Sequence, residues 1–129
     1  MGQIRSRDTK PEMTVRSLLH SKGFRFTVNG HSNRSLPGKP DIVLPKYKTV
    51  IFVHGCFWHF HKRCREGRIP SSNREYWSEK LKQNVARDAR NRRALRRIGW
   101  KILIVWECQL RDPRKLSRIM RKLLSALIE

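Results

Sequence analysis

One carboxylate, three histidines and two cysteines fall between Pro37 and Cys64, around two apolar runs rich in β-branched residues. A third cysteine, Cys108, follows a similar run in the segment VWEC. The spacing Cys56-x4-His61-x2-Cys64, completed by Cys108, offers the Cys3His donor set of a closed structural zinc site. The segment after Gly55 has few apolar residues of its own, so a bound metal would explain how it holds a shape. The plain alternative is three buried free cysteines and a surface histidine. Three cysteines cannot all pair as disulfides.

Asp41 opens an apolar run, and a hard carboxylate there could hold Mg²⁺ against a phosphate. It could equally be a turn-forming aspartate. His54 and His59 flank the zinc-type ligands, and a tetrahedral site with three thiolates needs a single histidine. That leaves one of the pair free to move a proton near neutral pH. Two further acids fall on inward helix faces. Asp88 follows Leu81 and Val85 at helical steps, and Glu12 stands three residues before Val15. A capping Glu12 and a surface Asp88–Arg92 pair are the ordinary alternatives.

These residues need elements to position them. Thr9 as N-cap, Pro11 in the first turn and Glu12 in a capping box start a helix that runs to about Lys22 and stops at Gly23. Val15, Leu18 and Leu19 face inward. Phe24–Val28 reads as a short strand and Asn29–Pro40 as a polar loop. Asp41–Leu44 and Thr49–His54 read as strands joined in a hairpin by Pro45–Lys48. Gly55–Asn73 has no clear period. Ser72 or Asn73 caps a long helix over Arg74–Ile98, whose inward face carries Leu81, Val85, Asp88, Arg92 and Leu95, and Gly99 ends it. Lys101–Trp106 is a strand, and the spacing of Leu116, Ile119, Met120, Leu123, Leu124, Leu127 and Ile128 makes Pro113–Ile128 a helix. The order α-β-β-β-α-β-α over 129 residues fits a single three-layer α/β domain spanning 1–129.

Thirty Lys and Arg face ten Asp and Glu, a formal net charge of +20. So large an excess points to a polyanion, and with 38% hydrophobic residues the chain folds rather than forming a disordered tail. Residues 62–129 hold 20 of the 30 cations. No run reaches the roughly 18–20 apolar residues of a membrane span, and the start MGQIRSRDTK is no signal peptide, so a cytoplasmic place and no membrane partner are expected. A metal-dependent enzyme acting on nucleic acid is the reading from residues alone.

LPGKPD, VIFVHGCFWH, REYWSEKLKQNVARD and GWKILIVWEC occur here in order and without large gaps. With them, residues 4–112 resemble the very short patch repair (Vsr) DNA mismatch endonucleases. The resemblance implies an α/β fold with a restriction-endonuclease-like three-layer core, a central mixed sheet and a structural zinc site. It implies a Mg²⁺-dependent enzyme that nicks one strand of double-stranded DNA beside a T·G mismatch left by deaminated 5-methylcytosine.

Carried over by position, Asp41 and the backbone carbonyl of Val53 would hold catalytic magnesium. His59 would be the base that activates water. Asp88 and Glu12 would be supporting acids with His54 beside them, and Cys56, His61, Cys64 and Cys108 would bind zinc. Phe57 and Trp58 would wedge into the base stack, helped by Ile4 or Met1. Position 53 is Val where better-known members have Thr, and a backbone ligand survives that change. The step from His61 to Cys64 is one residue longer than in some members. The chain begins at the IRSRDTKPE segment without the usual N-terminal extension, which predicts a weaker grip on the mismatch. The rival readings are a same-fold endonuclease with another sequence or lesion specificity, and a non-catalytic zinc-bearing nucleic-acid-binding module. A one-strand nick needs only a monomer.

Overall fold

The structure, a computed structural model, describes residues 10–57, 59, 61 and 68–128. Among the described residues, three strands form one sheet in the order β1-β2-β3, with β1 Ile42–Leu44, β2 Thr49–His54 and β3 Lys101–Trp106. β1 and β2 are antiparallel, joined through a 3-10 turn at Pro45–Tyr47. Pro45 fixes its own backbone for that turn, and Lys48 closes it in the left-handed region at φ 49°. β2 and β3 are parallel, so the chain must cross over between them, and the long helix α3, Arg74–Arg97, lies on that path. The sheet is therefore mixed, as expected.

Strand alternation sorts side chains to two faces. Ile42, Leu44, Ile51 and Val105 meet Val15 and Leu19 of α1 (Lys10–Ser21) and Ile119 and Leu123 of α5 (Pro113–Ile128). Val43, Val50 and Phe52 meet Leu95 of α3 on the other face. These are the three layers. β1 is buried on both faces, which is why IVL reads as a continuous apolar run rather than an alternating one.

Both α1 and α3 end as their glycines dictate. Gly23 and Gly99 take φ of +81° and +89°, and the N–H groups of Phe24 and Trp100 turn back to the carbonyls of Leu19 and Leu95 at 3.1 and 3.0 Å.

Four expectations change. Phe24–Val28 forms no strand; Thr27 alone bridges Val43. Its apolar residues, Phe24, Phe26 and Val28, pack on the core instead of extending the sheet. The polar 29–40 segment contains a short helix, α2, at His31–Ser35. A further short helix, α4 at Glu107–Arg111, follows β3 directly. Val85 is 39% exposed rather than inward. Leu81, Asp88 and Leu95 recur every seventh residue and make the seam of α3, and Val85 is rotated from Asp88 by about 60° at 3.6 residues per turn. Asn73 occupies the α3 N-cap with no side-chain cap bond. Among the described residues, no helix is long and apolar enough to cross a membrane.

Candidate active site and metal centre

The C-terminal end of β2 organises the site. His54 pairs with Trp106 in the parallel register, so the two strands end side by side. Two residues beyond each strand comes a cysteine, Cys56 in the turn after β2 and Cys108 in the first turn of α4. The register thus brings together two thiols that are 52 positions apart in sequence (108 − 56). The turn winds back on itself, with the His61 N–H donating to the Cys56 carbonyl at 2.9 Å. His61 lies stacked on Trp106 with ring centroids 4.1 Å apart, and its Nδ1 is 3.5 Å from the Cys108 Sγ. The donor atoms of Cys56, His61 and Cys108 all lie within 4.8 Å of one another. Cys64 lies outside the described residues, as do Trp58, Ile4 and Met1.

A second group stands on the α3 face of the same strand end. His54 is buried, and His59 stacks flat on it, with centroids 3.8 Å apart and planes within 5°. His59 Nδ1–H donates to the Asp88 carboxylate at 2.6 Å, from the middle of the α3 seam. Burial lowers the His54 pKa to about 3, with the adjacent His59 adding to the effect, so His54 is neutral. Burial alone would raise the Asp88 carboxyl, but the His59 hydrogen bond and neighbouring positive charge hold it below its ordinary value.

Asp41 sits at the bend before β1 and accepts the Val53 N–H at 2.7 Å. Because β1 begins only at Ile42, the edge of β2 at Val53 has no strand partner on that side, and the carboxylate takes its place. In an antiparallel ladder the N–H and C=O of one residue serve the same neighbour, so the Val53 carbonyl belongs to the Asp41 edge as well. Glu12, buried on α1, shares a hydrogen bond with Asp41, and burial raises the Asp41 carboxyl to about 7, with Glu12 adding to the rise. Arg16 pairs with Glu12 at 3.2 Å. Glu12 is thus turned into the site rather than left as a solvated cap.

Asn33 is a residue that no sequence motif singles out. It is buried, and its amide donates to the carbonyls of Thr27 and Pro40 at 3.0 Å and of Asp41 at 3.3 Å. Its oxygen accepts from the Gly30 N–H at 3.2 Å and the Thr27 hydroxyl at 2.7 Å. One side chain therefore ties α2 to the segment that delivers Asp41. The signal in the sequence is faint: an amide three residues after the helix-opening Gly30 can close on its N–H. Asn33→Ala should lower unfolding free energy by about 2–3 kcal/mol, since several inward backbone groups lose their partner; denaturant melting measures it, and a change below about 0.5 kcal/mol would count against the buttress. Trp77 falls within the REYWSEKLKQNVARD segment but carries no role there. It packs edge-on against the half-buried Phe57 at 5.3 Å, and Tyr76, which is exposed, lies against Trp77.

The family model for DNA mismatch endonuclease Vsr matches residues 1–66. The Type II nicking enzyme V.XorIIP of Xanthomonas oryzae pv. oryzae is 49% identical over 124 residues, covering 96% of this chain and 88% of the relative. DNA mismatch endonuclease Vsr of Escherichia coli is 46% identical over 117 residues, covering 91% of this chain and 72% of the relative. The chain belongs to the Vsr family of DNA mismatch endonucleases. It is accordingly an endonuclease. A further relative, the Type II nicking enzyme V.NmeAIP of Neisseria meningitidis, is 45% identical over 131 residues, covering 98% of this chain and 91% of its own. The two side-chain groups just described share one strand end and divide between a cysteine–histidine cluster and a carboxylate–histidine cluster.

Proposed function

We propose that this Vsr-family enzyme nicks one strand of duplex DNA beside a T·G mismatch, in very short patch repair of deaminated 5-methylcytosine. It would act as a monomer in the cytoplasm, as one domain on a restriction-endonuclease-like core. The observation that carries the reading is the meeting of Asp41, Glu12, His59 and Asp88, from four separate segments, at one strand end.

The buried Glu12–Asp41 pair fits a hard divalent cation: burial, with the Glu12 carboxylate beside it, drives Asp41 toward protonation, and a positive charge there offsets both effects. Asp41 and the Val53 carbonyl would hold magnesium, which when bound steadies the charge of the phosphate and of the attacking water. The protein's own part is positional. Asp88 holds the His59 Nδ1 proton, leaving Nε2 as the nitrogen that accepts a proton from water. His54 supplies an uncharged face beneath that ring. Phe57, with Trp58, would enter the base step, which a mismatch makes easier to open.

A supercoiled plasmid carrying one T·G mismatch should convert to the nicked circle with Mg²⁺, and a matched plasmid should stay closed. Equal nicking of both, or nicking at a different lesion only, would favour a same-fold endonuclease of other specificity. Binding without any nicking would favour the non-catalytic module.

The cluster of Cys56, His61 and Cys108 supports a zinc, which these three residues would hold together with Cys64. Such an ion would fix the turn that presents Phe57 and His59. Purified protein should carry one zinc per chain, and stripping it should lower the thermal midpoint by about 5 °C or more, the shift of about 1 kcal/mol in a domain of this size. Elemental analysis showing no metal, with all thiols titrating freely in the native state, would reject the site.

A further inference from the structure

α5 carries a stripe of cations that neither the core nor the catalytic cluster employs. Arg114, Lys115, Arg118, Arg121 and Lys122 are all exposed. Steps of three and four residues gather them on one side of the helix, away from the buried Ile119 and Leu123. No acidic residue occurs within α5. The Asp112 carboxylate accepts the backbone N–H of Arg114 at 2.9 Å, and among the described residues no carboxylate forms an ion pair with the side chain of any of the five. Like charges at these spacings weaken a helix. The stripe therefore costs the isolated protein stability, and a bound anion would offset that cost.

The site's place in the fold narrows what that anion is. α4 continues from the strand end that carries Trp106, and α5 follows α4, so the stripe starts near the catalytic end of the sheet and leads away over the α1 layer. It spans about 12 Å at 1.5 Å per residue. Duplex DNA carries about one charge per 1.7 Å of axis, so several phosphates face a stretch of that length. A lipid surface fits poorly, because an interfacial helix sinks its apolar face into the bilayer. The apolar face of α5 is already packed on Val15, Leu19 and Ile51 in the core.

We propose that the outer face of α5 is a second DNA contact surface, which binds the sugar-phosphate backbone of the flanking duplex without reading sequence. The choice of partner rests on the reading of this chain as a DNA-nicking enzyme. The surface would add affinity and retention on DNA, and take no part in the chemistry.

The test compares the full-length wild type with the triple variant Arg118→Gln/Arg121→Gln/Lys122→Gln. Binding to a matched duplex is followed by fluorescence anisotropy between about 50 and 200 mM salt. The slope of log K against log salt should become shallower by about 2–3, near 0.9 for each phosphate that the variant no longer neutralises. Single-turnover nicking at saturating enzyme should be unchanged. The thermal midpoint should hold or rise, since repulsion is relieved and Gln is a good helix former. The charge-keeping variant Arg118→Lys/Arg121→Lys should retain the wild-type slope.

An unchanged slope in the triple variant overturns the proposal. So does a lowered thermal midpoint, which would assign the cations to the fold. Binding of wild type to phosphatidylserine vesicles as tight as to DNA, abolished in the triple variant, would assign the stripe to a membrane instead. These outcomes are separable from the functional reading: wild type that neither binds nor nicks duplex DNA sinks that reading, whereas wild type that does both while the slope stays fixed sinks only the α5 surface.

Discussion

Asp41→Ala should lower nicking by about 10³-fold or more, since the missing charge stabilisation is worth several kcal/mol, and should leave duplex binding near wild type. The carboxylate lies on the β1 side of β2, beside the stretch past the end of β1, where it accepts the Val53 N–H at 2.7 Å. No other described acid except Glu12 shares that position, and Glu12 is already engaged by Arg16. The fold should tolerate the change. Losing the Val53 hydrogen bond costs about 1 kcal/mol, but removing one of two buried carboxyls also removes the repulsion and burial that raise Asp41 to about 7. The two effects oppose each other, so thermal unfolding should move little. Asp41→Asn separates them further, because it restores an acceptor for the Val53 N–H without restoring the charge. It should be as inactive as the alanine variant. Nicking by either variant within about tenfold of wild type would mean that the cation is held elsewhere, since a full charge–metal interaction is worth far more than about 1.4 kcal/mol.

How much of this is legible in the sequence depends on the kind of information each residue carries. Asp41, His59 and the cysteines stand out because their side chains are rare in an apolar setting. The strands at 42–44, 49–54 and 101–106 are visible because β-branched runs bounded by Pro and Gly have few other solutions. What the sequence does not display is register. The pairing of His54 with Trp106 decides that Cys56 and Cys108 meet, and nothing local to either segment states it.

The Phe24–Val28 segment departs from its propensity for the opposite reason. Its residues favour a strand, yet they serve the core as packing side chains, and tertiary packing overrides the local preference. Asn33 is hidden because a polar residue in a polar loop looks ordinary until the loop folds over it. Glu12 shows both sides at once: its spacing from Val15 places it at the inward edge, while only the three-dimensional neighbour Asp41 explains why a carboxylate is buried there.

His59→Ala should reduce the nicking rate by about 10²–10⁴-fold, the usual worth of a positioned general base. The geometry makes a sharper claim than that number. His59 Nδ1 is committed to Asp88 at 2.6 Å, so its Nε2 is the nitrogen left for water. Asp88→Asn removes the charge that fixes this tautomer while keeping the size of the side chain, and the amide can present either an acceptor or a donor to Nδ1. A loss smaller than that of His59→Ala is therefore expected, in the rate of the chemical step rather than in DNA affinity. If Asp88 acts only through His59, the double variant should be no slower than His59→Ala alone, because groups that work as a unit fail together. Multiplying losses would show instead that Asp88 touches the reacting groups independently. His59→Ala at near wild-type rate would remove the base assignment altogether. The stacked His54 gives the pair its remaining constraint: burial keeps its pKa at about 3, so it stays uncharged when His59 takes a proton 3.8 Å away. A second cation at that distance would oppose the proton transfer that the Asp88 hydrogen bond favours, and a buried, neutral ring is the arrangement in which the proton on His59 meets only the carboxylate.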